Sequence, residues 1–254
     1  MYFLVGFVLL SIASYIDVRT KTVPYFLSYF MISAGVILQS IRSIEYGISH
    51  IILVGIYTLI VFAFGYLRFK AGQWGGGDAV ILLGTMYYLI TPKNYLAPIE
   101  FIILSFFCGA LYGVFYILYR GIKAKINIKR EVTIALAGVA ILLVASQKGL
   151  TSLLVGLLVS ILCTIPLIKK VEEKAMVVKI PASKVVEGDW IAEPVKLRNI
   201  VIEPKKTGLT EKEAEIIRKL YRQGKVKKVT VKDGVPFIPS FLIAYLIMAV
   251  LNLV

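Results

Sequence analysis

Apolar runs of roughly 15 to 22 residues recur along this 254-residue chain, and that recurrence constrains its fold more than any other feature. Each run is long enough, or nearly so, to cross a hydrocarbon core of ~30 Å as a helix. Charged residues make up only 17% of the chain, against about a quarter in ordinary soluble domains. The expected fold class is therefore mainly α: a polytopic membrane helix bundle of six to eight transmembrane helices, with a small cytoplasmic α+β insert.

Eight runs read as spans, at about 2–17, 24–41, 49–68, 78–90, 98–119, 132–147, 149–168 and 236–254. The break Gln147-Lys148-Gly149 reads equally as a tight hairpin or a kink, which is why the count ranges from six to eight. The opening Met1-Tyr2-Phe3-Leu4 run has no basic segment before it and no clear small-residue cleavage site, so it reads as a retained first span. The expected organisation is a membrane-embedded catalytic bundle over 1–168, a small cytoplasmic domain over 169–235, and a C-terminal transmembrane helix over 236–254 that completes the bundle.

The basic residues orient these spans. With the N-terminus outside, 26 of the 29 lysines and arginines fall in the odd-numbered, cytoplasmic connections; Arg42, Lys93 and Lys148 remain outside. Over the short loops alone the division is 9 against 3 in the same direction. The net charge of +14 is thus chiefly a topology signal, with attraction to anionic headgroups of the lipid bilayer added. No nucleic-acid recognition motif accompanies it. The expected location is the plasma membrane.

The long polar stretch 169–235 carries its own pattern. Met176–Ile180 and Asn199–Ile202 read as short strands, and Lys228–Val231 alternates as a strand does. Thr210 with Glu213 forms a capping box ahead of Ala214, Ile216, Ile217 and Leu220, which have helical spacing. Asp233-Gly234 and Gly188-Asp189 read as turns. The prolines of Pro236-Phe237-Ile238-Pro239 suit the first turn of the last helix, whose N–H groups are unpaired anyway; the alternative is that this turn walls a site.

Only two aspartates occur in the first 168 residues, Asp17 and Asp78, each at the end of an apolar run. An ionisable group at membrane depth is costly and marks a functional site by default. From Tyr2 to Tyr15 is ~21 Å of helix, and from Ala79 to Ile90 ~18 Å, so both aspartates are expected just inside the cytoplasmic interface at similar depth. Two carboxylates there can cleave a peptide bond: one, ionised, activates water, and the other, protonated, polarises the amide. Like charges a few Å apart do not both ionise cheaply, so they share one proton. Asp78 would begin its helix and Asp17 end its own, which makes Asp78 the expected base and Asp17 the expected acid.

Asp78 closes the run Gly75-Gly76-Gly77. Three glycines give backbone freedom and let an extended substrate approach closely. Gly109 and Gly113, spaced by four within a span, read as a helix-packing contact. Cys108 and Cys163 are isolated in separate apolar runs and read as packing residues. The single histidine, His50, reads as an exposed outer-loop residue with no His-Glu-x-x-His pattern, and no metal or organic cofactor is expected. A proton-coupled transporter using the two aspartates as a relay is the rival from another class; inverted repeats and broken mid-membrane helices, which it would favour, are not seen.

Gly75-x-Gly77-Asp78 beginning one span, with Asp17 ending the first, resembles the GxGD aspartyl membrane proteases, a group that includes presenilin, signal peptide peptidase and the type IV prepilin peptidases. The spacing from Asp17 to Val23-Pro24, with the glycine run about 60 residues on, is most similar to the prepilin peptidase branch. The polar insert and the terminal Pro-Phe-Ile-Pro-Ser-Phe resemble the archaeal preflagellin peptidases. The resemblance implies Asp17 and Asp78 as the catalytic pair and preflagellin (archaellin) or type IV pilin-like precursors as substrates. It also implies removal of a short charged leader at the cytoplasmic face. A presenilin-like enzyme cutting within substrate helices is the nearer rival. Many relatives carry a lysine two residues after the second aspartate; Val80 stands there in this chain.

The orientation predicts a labelling pattern. With Cys108 and Cys163 replaced, Lys125→Cys should react with a membrane-impermeant thiol reagent only in inverted vesicles, and Lys93→Cys only in right-side-out ones. The reverse pattern would overturn the topology.

Overall fold

The computed structural model describes residues 2–197 and 200–251. Seven helices come first: α1 (Tyr2–Thr20), α2 (Tyr25–Tyr46), α3 (Ile48–Lys70), α4 (Gly76–Leu89), α5 (Ala97–Lys123), α6 (Lys129–Ser146) and α7 (Leu150–Ala175). The polar segment follows, with β1 (Val177–Pro181), a 3-10 turn (Ala182–Lys184), β2 (Trp190–Ile191), β3 (Val195–Leu197), β4 (Ile200–Ile202), α8 (Glu211–Arg222) and β5 (Lys228–Lys232). Helix α9 (Ile238–Val250) closes the described chain. Five helices, α1, α2, α3, α5 and α7, are long and apolar enough to cross a membrane. The expected mainly α membrane bundle with a small sheet is what the structure shows.

Helix α4 is the centre of the bundle. From Ile81 to Leu89 all but one of its residues are buried, enclosed chiefly by α2, α3 and α1. Close approach explains how so many helices reach it. A Cβ added at Gly35 of α2 would stand 2.5 Å from Tyr87, and one at Gly65 of α3 would stand 3.1 Å from Ala79. At Gly6 of α1 it would meet Tyr88 at 2.6 Å. Small residues at these points let the backbones pack tightly, the usual device where lipid supplies no hydrophobic drive between helices.

With 14 residues, α4 is only ~21 Å long, so its C-terminal end stops within the protein. Orphan carbonyls there need donors, because no water is at hand. Residues of α2 supply them. Gln39 Nε2 donates to the carbonyls of Tyr87 and Ile90, and Arg42 Nη1 donates to Ile90 as well. Gln39 Oε1 stands 2.8 Å from His50 Nε2, and His50 Nδ1 stands 2.9 Å from the Tyr95 hydroxyl. Since an amide oxygen only accepts, Nε2 carries the proton and Nδ1 accepts from Tyr95. His50 is thus fully buried in α3, not on an exposed loop. A lone histidine in an apolar context gives no sign of its partner when that partner is eleven residues back on another helix.

The break at Gln147–Gly149 is a hairpin: Gly149 has φ +100°, a left-handed value that favours glycine. Helices α6 and α7 pack closely along each other, and α7 runs on to Ala175, past the expected end of the span at 168. A second apolar cluster, with Ile117, Ile128, Leu167 and Val171, fixes the hairpin to α5.

In the polar segment β5 is the central strand, antiparallel to β1 and to β2, with Val231 opposite both Val178 and Ile191. β3 and β4 form a separate hairpin. The expected strands and the capped helix are present; Asn199 lies outside the described residues, as do residues 252–254 of the last span. Thr210 accepts from the Glu213 amide and Glu213 from the Thr210 amide, which stabilises the start of α8 by roughly 1 kcal/mol. Ala214, Ile217 and Leu220 are buried, while Ile216 faces outward. The two-residue β2 and three-residue β3 are too short for their alternation to stand out in sequence.

Replacing Gln39 by Leu should leave the Tyr87 carbonyl without its donor in an apolar setting. An unfolding free energy lower by about 2 kcal/mol or more is expected, measurable as an earlier thermal transition in detergent micelles. An unchanged transition would show that the Gln39 bonds contribute nothing to stability.

Candidate active site

Asp17 sits on the last turn of α1, buried with 4% of its surface exposed. Four residues on, the Lys21 amide donates to its backbone carbonyl at 2.7 Å, ending the helix. The side chain points across the bundle: Oδ2 accepts the backbone N–H of Ile238, the first residue of α9, at 3.0 Å. The Pro-Phe-Ile-Pro turn therefore does wall this site, the alternative reading of that segment. With Pro239 in its first turn, α9 has N–H groups free of intrahelical partners, and one is given to Asp17.

Asp78 is the third residue of α4, half-buried, and its Oδ2 accepts the Gly75 N–H at 2.9 Å. This is half of a capping box turned inward on the chain's own helix start. Asp78 lies within electrostatic range of Asp17, so the fold brings the two sequence-predicted carboxylates to one end of the bundle. Val23, from the connection after α1, faces Gly77 at 3.7 Å from where a Cβ would be. Tyr112 of α5 also lies within electrostatic range of Asp17.

The glycine run plays a different part from the one expected. Gly76 and Gly77 are already helical, and Gly75 has φ −70° and ψ 158°, open to any residue. A Cβ at Gly75, Gly76 or Gly77 would meet neighbours only at 3.4 Å or more. The run keeps the surface beside Asp78 bare; unusual backbone angles are not what it provides. The demanding glycine is Gly72, with φ +70°, where a Cβ would stand 2.6 Å from the Lys206 carbonyl of the polar segment. Gly109 is also a tight contact, 2.6 Å from the Phe237 ring by the same measure, whereas Gly113 faces open space. Only the first half of that glycine pair packs a helix.

The helix-end argument for an unequal pair also changes. Asp78 stands at the N-terminus of α4, as expected. Asp17 stands at the end of α1 but receives the N-terminus of α9, so both carboxylates face the positive end of a helix. Sequence shows which helix carries a residue; it does not show which other helix begins against it.

Trp74 went unremarked in the sequence and anchors the loop that delivers Asp78. It is buried, stacked on Phe106 at 5.9 Å between ring centres and in edge or tilted contact with Phe64, Phe237 and Phe241 at 5.4–5.7 Å. Arg68 lies over Phe64 and Phe106 and donates to Gln73 in the same loop. Rings from α3, α5 and α9 thus converge on the residue before Gly75. Its signal in the sequence, a tryptophan adjoining the glycine run, was present.

The polar segment reaches this end of the bundle at several points. Tyr25 donates to Glu187 at 2.7 Å, Lys206 meets Gly72, and Asp233 pairs with Lys21 and with Arg120. Asp189, by contrast, is the turn residue expected: its carboxylate accepts the Val186 N–H at 2.9 Å. Burial, opposed by that bond, lifts its carboxyl above the usual range. Among the described residues no group of three or more His, Cys, Asp or Glu side chains is arranged to hold a metal ion.

Residues 4–114 match the model of the type IV leader peptidase family, a stretch that takes in both aspartates and helices α1 to α4. No curated protein matches the chain, and no solved structure matches it.

Replacing Trp74 by Ala should remove the centre of the aromatic cluster at a cost of about 3–5 kcal/mol, while Trp74→Phe should retain much of it. Denaturation of both variants in micelles checks this; equal stability of Trp74→Ala and the parent would mean that the rings do not hold the loop.

Proposed function

The chain belongs, over residues 4–114, to the type IV leader peptidase family, and we propose that it is an aspartic endopeptidase with Asp17 and Asp78 as its catalytic pair. It is a multi-pass membrane protein with a peptidase's family membership, which implies precursor proteins as substrates. In the proposed reaction it removes the short charged leader of preflagellin or type IV pilin-like precursors, at the cytoplasmic face of the plasma membrane. The observation that carries this reading is the convergence of the two carboxylates, 61 positions apart in the chain, at one end of the bundle and within range of each other's charge.

One carboxylate of the pair takes a proton from water as the oxygen attacks the scissile carbonyl. The other, protonated, donates to the carbonyl oxygen and later the proton reaches the leaving amine. Asp78 suits the first task, because it is half-exposed and reachable by water, while Asp17 is buried. The titrations belong to the pair as a whole. The bare surface of Gly76 and Gly77 gives an extended peptide room to lie against Asp78. The basic residues of the cytoplasmic connections support the orientation, and the transporter reading has no feature of the structure in its favour.

Cleavage of a leader-bearing pilin-like precursor in membranes tests the proposal. Asp17→Asn and Asp78→Asn should each lower the rate by about 10³-fold or more while the proteins remain folded by thermal transition. Cleavage retained in either variant would end the assignment of the pair.

A further inference from the structure

We infer that Asp233, at the exit of the polar segment, is a positioning residue for Asp17. This rests on the proposed role of Asp17 and adds a role for the polar segment in the same site. The inference follows from a closed circuit of bonds. Asp17 leads through four residues to Lys21, whose ammonium pairs with Asp233 Oδ1. Five residues beyond Asp233 comes Ile238, whose N–H returns to Asp17 Oδ2 at 3.0 Å. The only non-covalent links in this ring are the ion pair and that hydrogen bond. Loosening the ion pair frees both the end of α1 and the turn that leads into α9.

The ring is braced from two other sides. Arg120, at the end of α5, pairs with Asp233 Oδ2 at 3.0 Å and donates to the Ala175 carbonyl at 2.6 Å. The Asp233 N–H donates to the Met176 carbonyl at 2.6 Å. Asp233 is therefore held by α5, by the α7–β1 junction and by the connection after α1, and it passes that constraint to the Pro236–Phe237 turn. All three charged side chains are largely shielded, with 17–30% exposure, so their attraction is screened less than that of an exposed pair. An aspartate beside a glycine reads as an ordinary turn, and the ion pairs that set it apart are invisible in the sequence.

Geometry of this kind acts on the chemical step. A catalytic group displaced by about 1 Å costs on the order of 10²-fold in rate, whereas substrate binding away from Asp17 is untouched. In full-length protein acting on a leader-bearing pilin-like precursor, Asp233→Asn should lower kcat by roughly 10- to 100-fold with KM within about threefold, and Asp233→Glu should recover most of the loss. Lys21→Met, which leaves the Arg120 pair in place, should lower kcat as well, and the double variant should fall less than the product of the two single effects. Hydrogen exchange over residues 233–241 gives a readout independent of cleavage: it should speed up in Asp233→Asn and in Lys21→Met, and return towards the parent rate in Asp233→Glu. Parent-like kcat and parent-like exchange in Asp233→Asn would overturn the inference. Should Asp233→Asn fail to fold, a parent-like kcat and exchange in Lys21→Met would overturn it too. If the parent protein itself leaves the precursor uncut, the proposed function falls, and the exchange result still decides the role of Asp233.

Discussion

A helix of 14 residues at the centre of a membrane bundle imposes the condition on which the rest of this structure depends. Helix α4 does not span the hydrocarbon core, so its polar ends require partners from the protein. At one end Gln39 and Arg42 take up the terminal carbonyls, and His50 and Tyr95 complete the Gln39 side chain. At the other end Asp78 takes up the Gly75 N–H. Enclosure on several sides then demands small residues on the helices around it, which Gly6, Gly35 and Gly65 provide. The proposed catalytic carboxylate on α4 is thus part of the helix's own termination.

Asp17 is held by a different means. Its helix packs along α9, and the bond from Ile238 joins two segments separated by most of the chain. The polar segment lies between them in sequence, and its exit residue Asp233 contacts the connection after α1 directly. Its placement is thereby tied to the geometry at Asp17, and its contacts at Tyr25 and Gly72 bring it beside both connections that flank the aspartates.

The two kinds of force at this end differ in strength and in purpose. Burial of Trp74 among four rings is worth several kcal/mol and holds the α3–α4 loop without specifying a unique direction. Ion pairs of partly shielded groups contribute less to net stability, since desolvation offsets much of their attraction. They fix direction, which hydrophobic contact alone leaves loose. A site that needs two carboxylates at a set separation draws on both.

Much of this was legible in the chain itself. The long apolar runs, the polar stretch with its capping box at Thr210 and Glu213, and the two isolated aspartates follow from composition and spacing, because lipid and water sort residues by simple rules. The glycine run was noticed for a conformational freedom that its backbone angles do not use; its actual effect, a bare surface beside Asp78, depends on what faces it. His50 was misplaced because burial is decided by neighbours far away in the chain. By itself the sequence determined a membrane helix bundle with two carboxylates at the ends of its helices and a small capped α+β segment. Only the tertiary structure decided that α9 begins against Asp17, that Trp74 anchors the loop before Asp78, and that Asp233 joins the polar segment to the bundle. Each of these is a contact between residues far apart in sequence, and local pattern carries no record of such a meeting until the chain has closed on itself.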